Sequence, residues 1–237
     1  MKTLKWILCI LTVLSTVFML TVLPDTVPVH FDISGAPDRW GSKLELLILP
    51  VVLIACAFVM DPMAKSYRKK ADEVENEKEK AEHLTNAKVL NITSIITMFL
   101  FFIMNIVTLY TTYVHAVPDN QLPEIDILRV IGVVMGVVMI VLGNYMPKTR
   151  NNPHIGFRFP WTRYNDTTWN KSNRFASYVL MVAGAISAIS SILVKKSIVA
   201  SFLSAGALLI ALPVIMIYAY IVYREERKKD DEGIDKE

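Results

Sequence analysis

Cysteine and histidine are scarce in this sequence of 237 residues, and with them most of the chemistry that side chains perform. The two cysteines, Cys9 and Cys56, each sit inside an apolar run. That placement excludes a disulfide framework and leaves both as small hydrophobes. Glu82 and His83 suggest a zinc-protease helix, but no second histidine follows one helical turn away. Nucleophile elbows and phosphate-binding loops are missing as well. An enzyme is therefore not expected, nor a cofactor; the chain reads as one that binds rather than catalyses. A surplus of charge is also lacking. The net charge of +3 is too small for direct nucleic-acid binding.

What the chain has in abundance is apolar surface. It is 53% hydrophobic, above the ~45–50% of an ordinary soluble domain. Uncharged runs near the ~20 residues that span a hydrocarbon core occur at 6–24, 89–114, 130–147, 175–194 and 197–223, with a weaker one at 46–60. Leu44 and Glu45 can extend that weaker run. The expected fold class is all-α, a polytopic helical bundle of six membrane spans. The first run follows Lys2 and Lys5 but is long and has no small-residue cleavage site after it, so it reads as an uncleaved span rather than a signal peptide.

Lysine and arginine set orientation, because acidic residues contribute little to that signal. Of the 25 cations, only Arg39, Lys43, Arg129, Lys195 and Lys196 fall on one side; the other 20 fall on the side of both termini. Both termini are thus expected in the cytoplasm. Two domains are expected: residues 1–88, a two-span unit with a turn-rich outer loop and a charged cytoplasmic loop, and residues 89–237, a four-span unit with a charged tail.

Spans three to six hold no Asp, Glu, Lys or His at mid-membrane depth, and Arg129 lies near the outer end of its span. That weighs against an ion-coupled transporter, since coupling needs intramembrane ionisable groups. A transporter or channel remains the alternative functional class. Gly132 and Gly136 in the fourth span, and Ala183, Gly184, Ser187, Ala188 and Ser191 in the fifth, have the small-residue spacing that lets helix backbones approach closely. Packing within the chain is the expectation and homodimerisation the alternative. Pro50 and Pro213 are expected to kink their helices.

The outer loop, LPDTVPVHFDISGAPDRWGSK, is rich in turn formers. His30, Asp32 and Asp38 lack the paired spacing of a zinc site, so a turn held by side-chain hydrogen bonds is expected over a metal. The charged loop at 61–88 is rich in helix formers and oppositely charged neighbours, the pattern of a solvated helical hairpin; a docking surface for a soluble partner is the alternative. The second cytoplasmic loop, 143–174, differs in kind, with Asn, Gly, Arg, Pro and Trp at a density that a spacer does not need. Aromatic rings with polar edges favour the membrane interface, and arginine stacks on them. Arg158, Trp161, Thr162 and Trp169 either anchor this loop or form a face that a partner reads.

The same residues carry a resemblance. Gly143-Asn144, then N-x-x-I-G-x-R-x-P-W-T from Asn152 to Thr162, Trp169, and N-R-F-A-S from Asn173 to Ser177 resemble the signature of the SdpI family of bacterial immunity proteins. The pattern P-x-x-V-P-V-H-F-x-x-x-G-x-P-D-R-x-G-S-K ending at Lys43 resembles a small membrane domain of unknown function that commonly precedes it. Phe157 and Phe159 depart from the aliphatic and small polar residues expected there. The resemblance implies a multi-pass protein of the bacterial cell membrane that protects its host against a secreted, membrane-active peptide toxin. It also implies signalling, with a small winged-helix autorepressor held at the inner face. The inner candidates for partner binding are then Gly143, Asn144, Asn152, Gly156, Arg158, Pro160, Trp161, Thr162, Trp169, Asn173 and Arg174. Pro28, His30, Gly35, Asp38 and Lys43 are the outer candidates for toxin sensing.

Overall fold

A computed structural model describes residues 2–32, 35–118, 122–123, 125–152 and 154–234. Among the described residues, six helices are long and apolar enough to cross a bilayer: α1 (Lys2–Val22), α2 (Ile48–Glu73), α3 (Glu77–Ala116), α4 (Ile127–Tyr145), α5 (Asp166–Leu193) and α6 (Ser197–Ile234). The chain is a six-span helical membrane bundle.

Local chemistry sets several of the helix ends. Asn76 caps α3, its side-chain oxygen accepting from the Lys78 and Glu79 amides at 2.9 and 3.3 Å, while Glu77 and Glu79 complement the positive end of the helix dipole. Only three residues separate α2 from α3, so the charged stretch at 61–88 is a helical hairpin that prolongs both spans. Asp126 caps α4. A reciprocal box between Asn165 and Thr168 opens α5. Pro50, expected to kink α2, lies instead in its first turn, where a missing N–H costs little because that group has no full helical partner. Pro62 and Pro213 lie in the interior of their helices.

The helices associate in two groups of three. α3 packs against α2 and α1, α5 packs against α4 and α6, and α3 meets α4 only sparsely. Residues 88 and 89, where the sequence suggested a division, lie within α3. Buried Leu8, Leu53, Ala57 and Met98 form the core of the first group. In the second, Gly132 and Gly136 of α4 face Ser191, Gly184 and Ala188 of α5, and Ser187 donates to the Gly132 carbonyl at 2.9 Å. The small-residue faces are thus occupied within the chain.

Between α1 and α2 the chain forms an antiparallel hairpin, β1 (Thr26–Phe31) with β2 (Pro37–Ser42), irregular around His30. This adds strands to an otherwise helical chain. The prolines and glycines read as turn formers, yet Val27 alternates inward and is fully buried against Leu23, Leu46 and Leu109. Pro37 sits at the first position of its strand, where a missing amide is tolerated. Gly35 takes φ +88° in the turn, a conformation that favours glycine.

Candidate functional site

At the end of the bundle opposite the hairpin, the chain from Met146 to Asn165 folds into a compact loop. Asn152 is its first organiser. Its side-chain oxygen accepts from the His154 and Ile155 amides at 2.8 and 2.7 Å, and its amide donates to the Ile155 carbonyl at 3.0 Å. Thr162 is the second: the Phe159 amide donates to its hydroxyl at 2.9 Å, and that hydroxyl reaches the Phe157 carbonyl at 2.9 Å. Pro160 opens a short 3-10 turn, Pro160–Arg163, consistent with its fixed φ at a first helical position.

The first turns of α5 lock this loop in place. Trp169 is 1% exposed, and its indole N–H donates to the Thr149 carbonyl at 2.9 Å. Asn173, fully buried, accepts from the Phe157 amide at 2.8 Å. Gly156 lies directly above both at φ +108°, so close that a Cβ there would stand 2.7 Å from the Asn173 oxygen and 2.9 Å from the Trp169 ring. A glycine is required on both counts, conformation and space.

The loop also bonds across to the other helix group. The Arg150 amide donates to the Asn86 side chain of α3 at 3.1 Å, and the Tyr67 hydroxyl of α2 donates to Asn152 at 3.2 Å. The Tyr67 ring also sits edge-on to His154, 5.7 Å between centroids. The tail of α6 joins as well. Tyr164 donates to Asp230 at 2.7 Å, a bond to a carboxylate that pushes its hydroxyl pKa up, and Lys171 pairs with Glu226 at 3.2 Å.

The inner candidates therefore divide. Gly143, Asn152, Thr162, Trp169 and Asn173 are buried; Asn144, Arg158, Pro160 and Arg174 are exposed. Gly143 lies against Ser177 and Met181 of α5, without room for a side chain. Trp161 is half-buried, stacked on Phe159 at 5.0 Å and edge-on to Tyr220 at 6.1 Å. Lys148, Arg150, Arg158, Arg163 and Arg174 stand exposed around this end, a cationic rim over an aromatic base.

At the hairpin end, His30 Nδ1 meets the Asp38 carboxylate at 2.6 Å. Lys43 donates to the Leu23 carbonyl at 3.2 Å and pairs with Asp25 at 3.0 Å, tying the hairpin's two ends together. Pro28 is buried beneath it, and Thr112 donates to its carbonyl at 3.4 Å. Among the described residues no cluster of three metal-ligating side chains occurs.

Polar contacts also tie the spans together in ways only partly legible in the sequence. Lys5 is 1% exposed; its ammonium pairs with Asp61 of α2 and donates to Asn91 of α3 at 3.1 Å. Deeper, Thr16 of α1 donates to Asn105 of α3 at 3.2 Å. Asn91 and Asn105 interrupt an apolar run, and asparagine in such a run is a signal of helix-to-helix hydrogen bonding. Asn86 and Tyr67 offered no such signal, since both sit in the charged hairpin where polar residues are ordinary.

In comparison with known proteins, residues 148–224 match the SdpI/YfhL protein family and residues 7–54 match a domain of unknown function, DUF1648. The Immunity protein SdpI of Bacillus subtilis (strain 168) is 26% identical over 221 residues, 92% of this chain and 94% of that protein. An uncharacterized protein of Archaeoglobus fulgidus is 59% identical over 39 residues, 16% of this chain and 21% of that protein. No solved structure matches.

Proposed function

We infer, for a multi-pass membrane protein that carries an SdpI/YfhL family domain behind a DUF1648 domain, that it protects its cell against a secreted, membrane-active peptide. The hairpin with His30, Asp38 and Lys43 meets that peptide at the outer leaflet. The loop bearing Arg158, Pro160 and Trp161 faces the cytoplasm and presents its cationic, aromatic surface to a small winged-helix autorepressor.

The observation that carries the coupling between them is the loop's double attachment. Through Asn86 and Tyr67 it is bonded to the group that bears the hairpin, and through Trp169 and Asn173 to the other group. A change in how the groups sit at the hairpin end therefore reaches the loop. Toxin shifts such an equilibrium only by binding one arrangement more tightly than the other. Transport is the second reading, favoured by the buried Lys5–Asp61–Asn91 cluster, because intramembrane ionisable groups mark ion pathways. The pair is mutually satisfied, and immunity is the better supported reading.

Deleting the gene is expected to sensitise the cell to a peptide made by the same strain or a neighbour. Arg158→Ala is expected to keep that protection while losing capture of the repressor at the membrane, read by fractionation. Equal loss of both, at normal protein levels, means that Arg158 anchors the loop and reads no partner.

A further inference from the structure

A cleft runs between the two helix groups where α3 and α4 face one another. Its deep part is a slot of about 100 Å³ with an aliphatic and methionine lining, including Leu100 and Met104 of α3 and Val130, Val134 and Met135 of α4. Val107, Thr108, Ile127 and Ile131 continue it into a wider chamber of about 420 Å³ that opens under the hairpin. His30, Asp32, Arg39 and Glu45 line the mouth.

The dimensions select the occupant. At about 100 Å³ the deep slot is far too small for a helix roughly 10 Å across, whereas a stretch of flexible apolar chain can enter it. From Thr108 to Leu100, and from Ile127 to Met135, the slot is about 12 Å deep at the helical rise. One leaflet of hydrocarbon is roughly 15 Å thick. A flexible apolar chain that enters at the headgroup level and ends near the bilayer centre matches both measures.

The mouth selects the head. Arg39 pairs with Glu45 at 3.0 Å and His30 with Asp38 at 2.6 Å, with Arg39 and His30 mostly exposed and Glu45 about one-third exposed (33%). One guanidinium, Arg39, and two carboxylates, Asp32 and Glu45, line the chamber, and this set complements a zwitterion, its phosphate toward Arg39 and its ammonium toward the acids. Exposed pairs of this kind contribute little, about 0–1 kcal/mol, so an incoming headgroup exchanges partners at small cost. The geometry points to a diacyl phospholipid with a phosphoethanolamine head, drawn from the leaflet at the hairpin end, with one tail seated between α3 and α4.

Native mass spectrometry of the full chain released from nanodiscs tests this, with phosphatidylethanolamine and phosphatidylglycerol of matched tails in equal amounts. One retained phosphatidylethanolamine is expected, favoured about tenfold over phosphatidylglycerol. Ile131→Trp, which fills the slot, is expected to lose it, whereas Ile189→Trp on the exposed side of α5 keeps it. The double variant Arg39→Gln, Glu45→Gln leaves the apolar slot intact and is expected to erase the headgroup preference. No retained lipid, equal retention of both lipids by the unaltered chain, an apolar peptide retained instead, or a preference unchanged in the double variant would each overturn the inference.

Discussion

Gly156 concentrates the design of the loop in one residue. Its positive φ and its contact with Asn173 and Trp169 leave no place for a methyl group. Gly156→Ala is expected to cost about 1–3 kcal/mol of stability, read as a lower thermal midpoint of the purified protein. The residue types of this loop were legible in the sequence, but their division of labour was not. A tryptophan at a membrane interface and one sealed inside a loop both need an acceptor for the indole N–H. Only the structure shows that Trp169 finds Thr149 while Trp161 stays half-buried among aromatic rings. The buried Lys5 was hidden for a related reason: a lysine just before an apolar run looks like an interfacial flank, and its partners Asp61 and Asn91 are far away in sequence.

Among the elements, α4 and α5 approach one another closely along their small residues. A Cβ on Gly136 would fall 2.5 Å from the Gly184 carbonyl and 2.7 Å from the Ala188 amide, backbone atoms that cannot step aside. Gly136→Leu is expected to force the helices apart and destabilise the bundle by roughly 1–3 kcal/mol or more. Gly206→Leu, on α6 with nothing within 4 Å, is expected to have no such effect; thermal unfolding in detergent compares the two. The six helices were legible because twenty apolar residues in a row have few alternatives in a membrane protein. The β1–β2 hairpin was not, because its prolines and glycines are turn formers by every local criterion. Its strands are held by burial of Val27 on helices distant in sequence.

On the scale of the whole molecule, the distribution of lysine and arginine leads us to expect the Pro-Trp-Thr loop in the cytoplasm. A reporter fused after Thr162 that is active only in the cytoplasm is expected to be active, and its silence beside an exported reporter that works would reverse the orientation. The grouping of α3 with α1 and α2 was not legible, since a run of hydrophobic residues says how many spans exist but not which neighbours they choose. The 40 residues of α3 make a rod about 60 Å long, roughly twice the hydrocarbon thickness. A rod of that length turns a small tilt into displacement: about 5° would move Asn86, which lies about 45 Å from the Ala116 end at the helical rise, by roughly 4 Å relative to that end, enough to break its bond with Arg150.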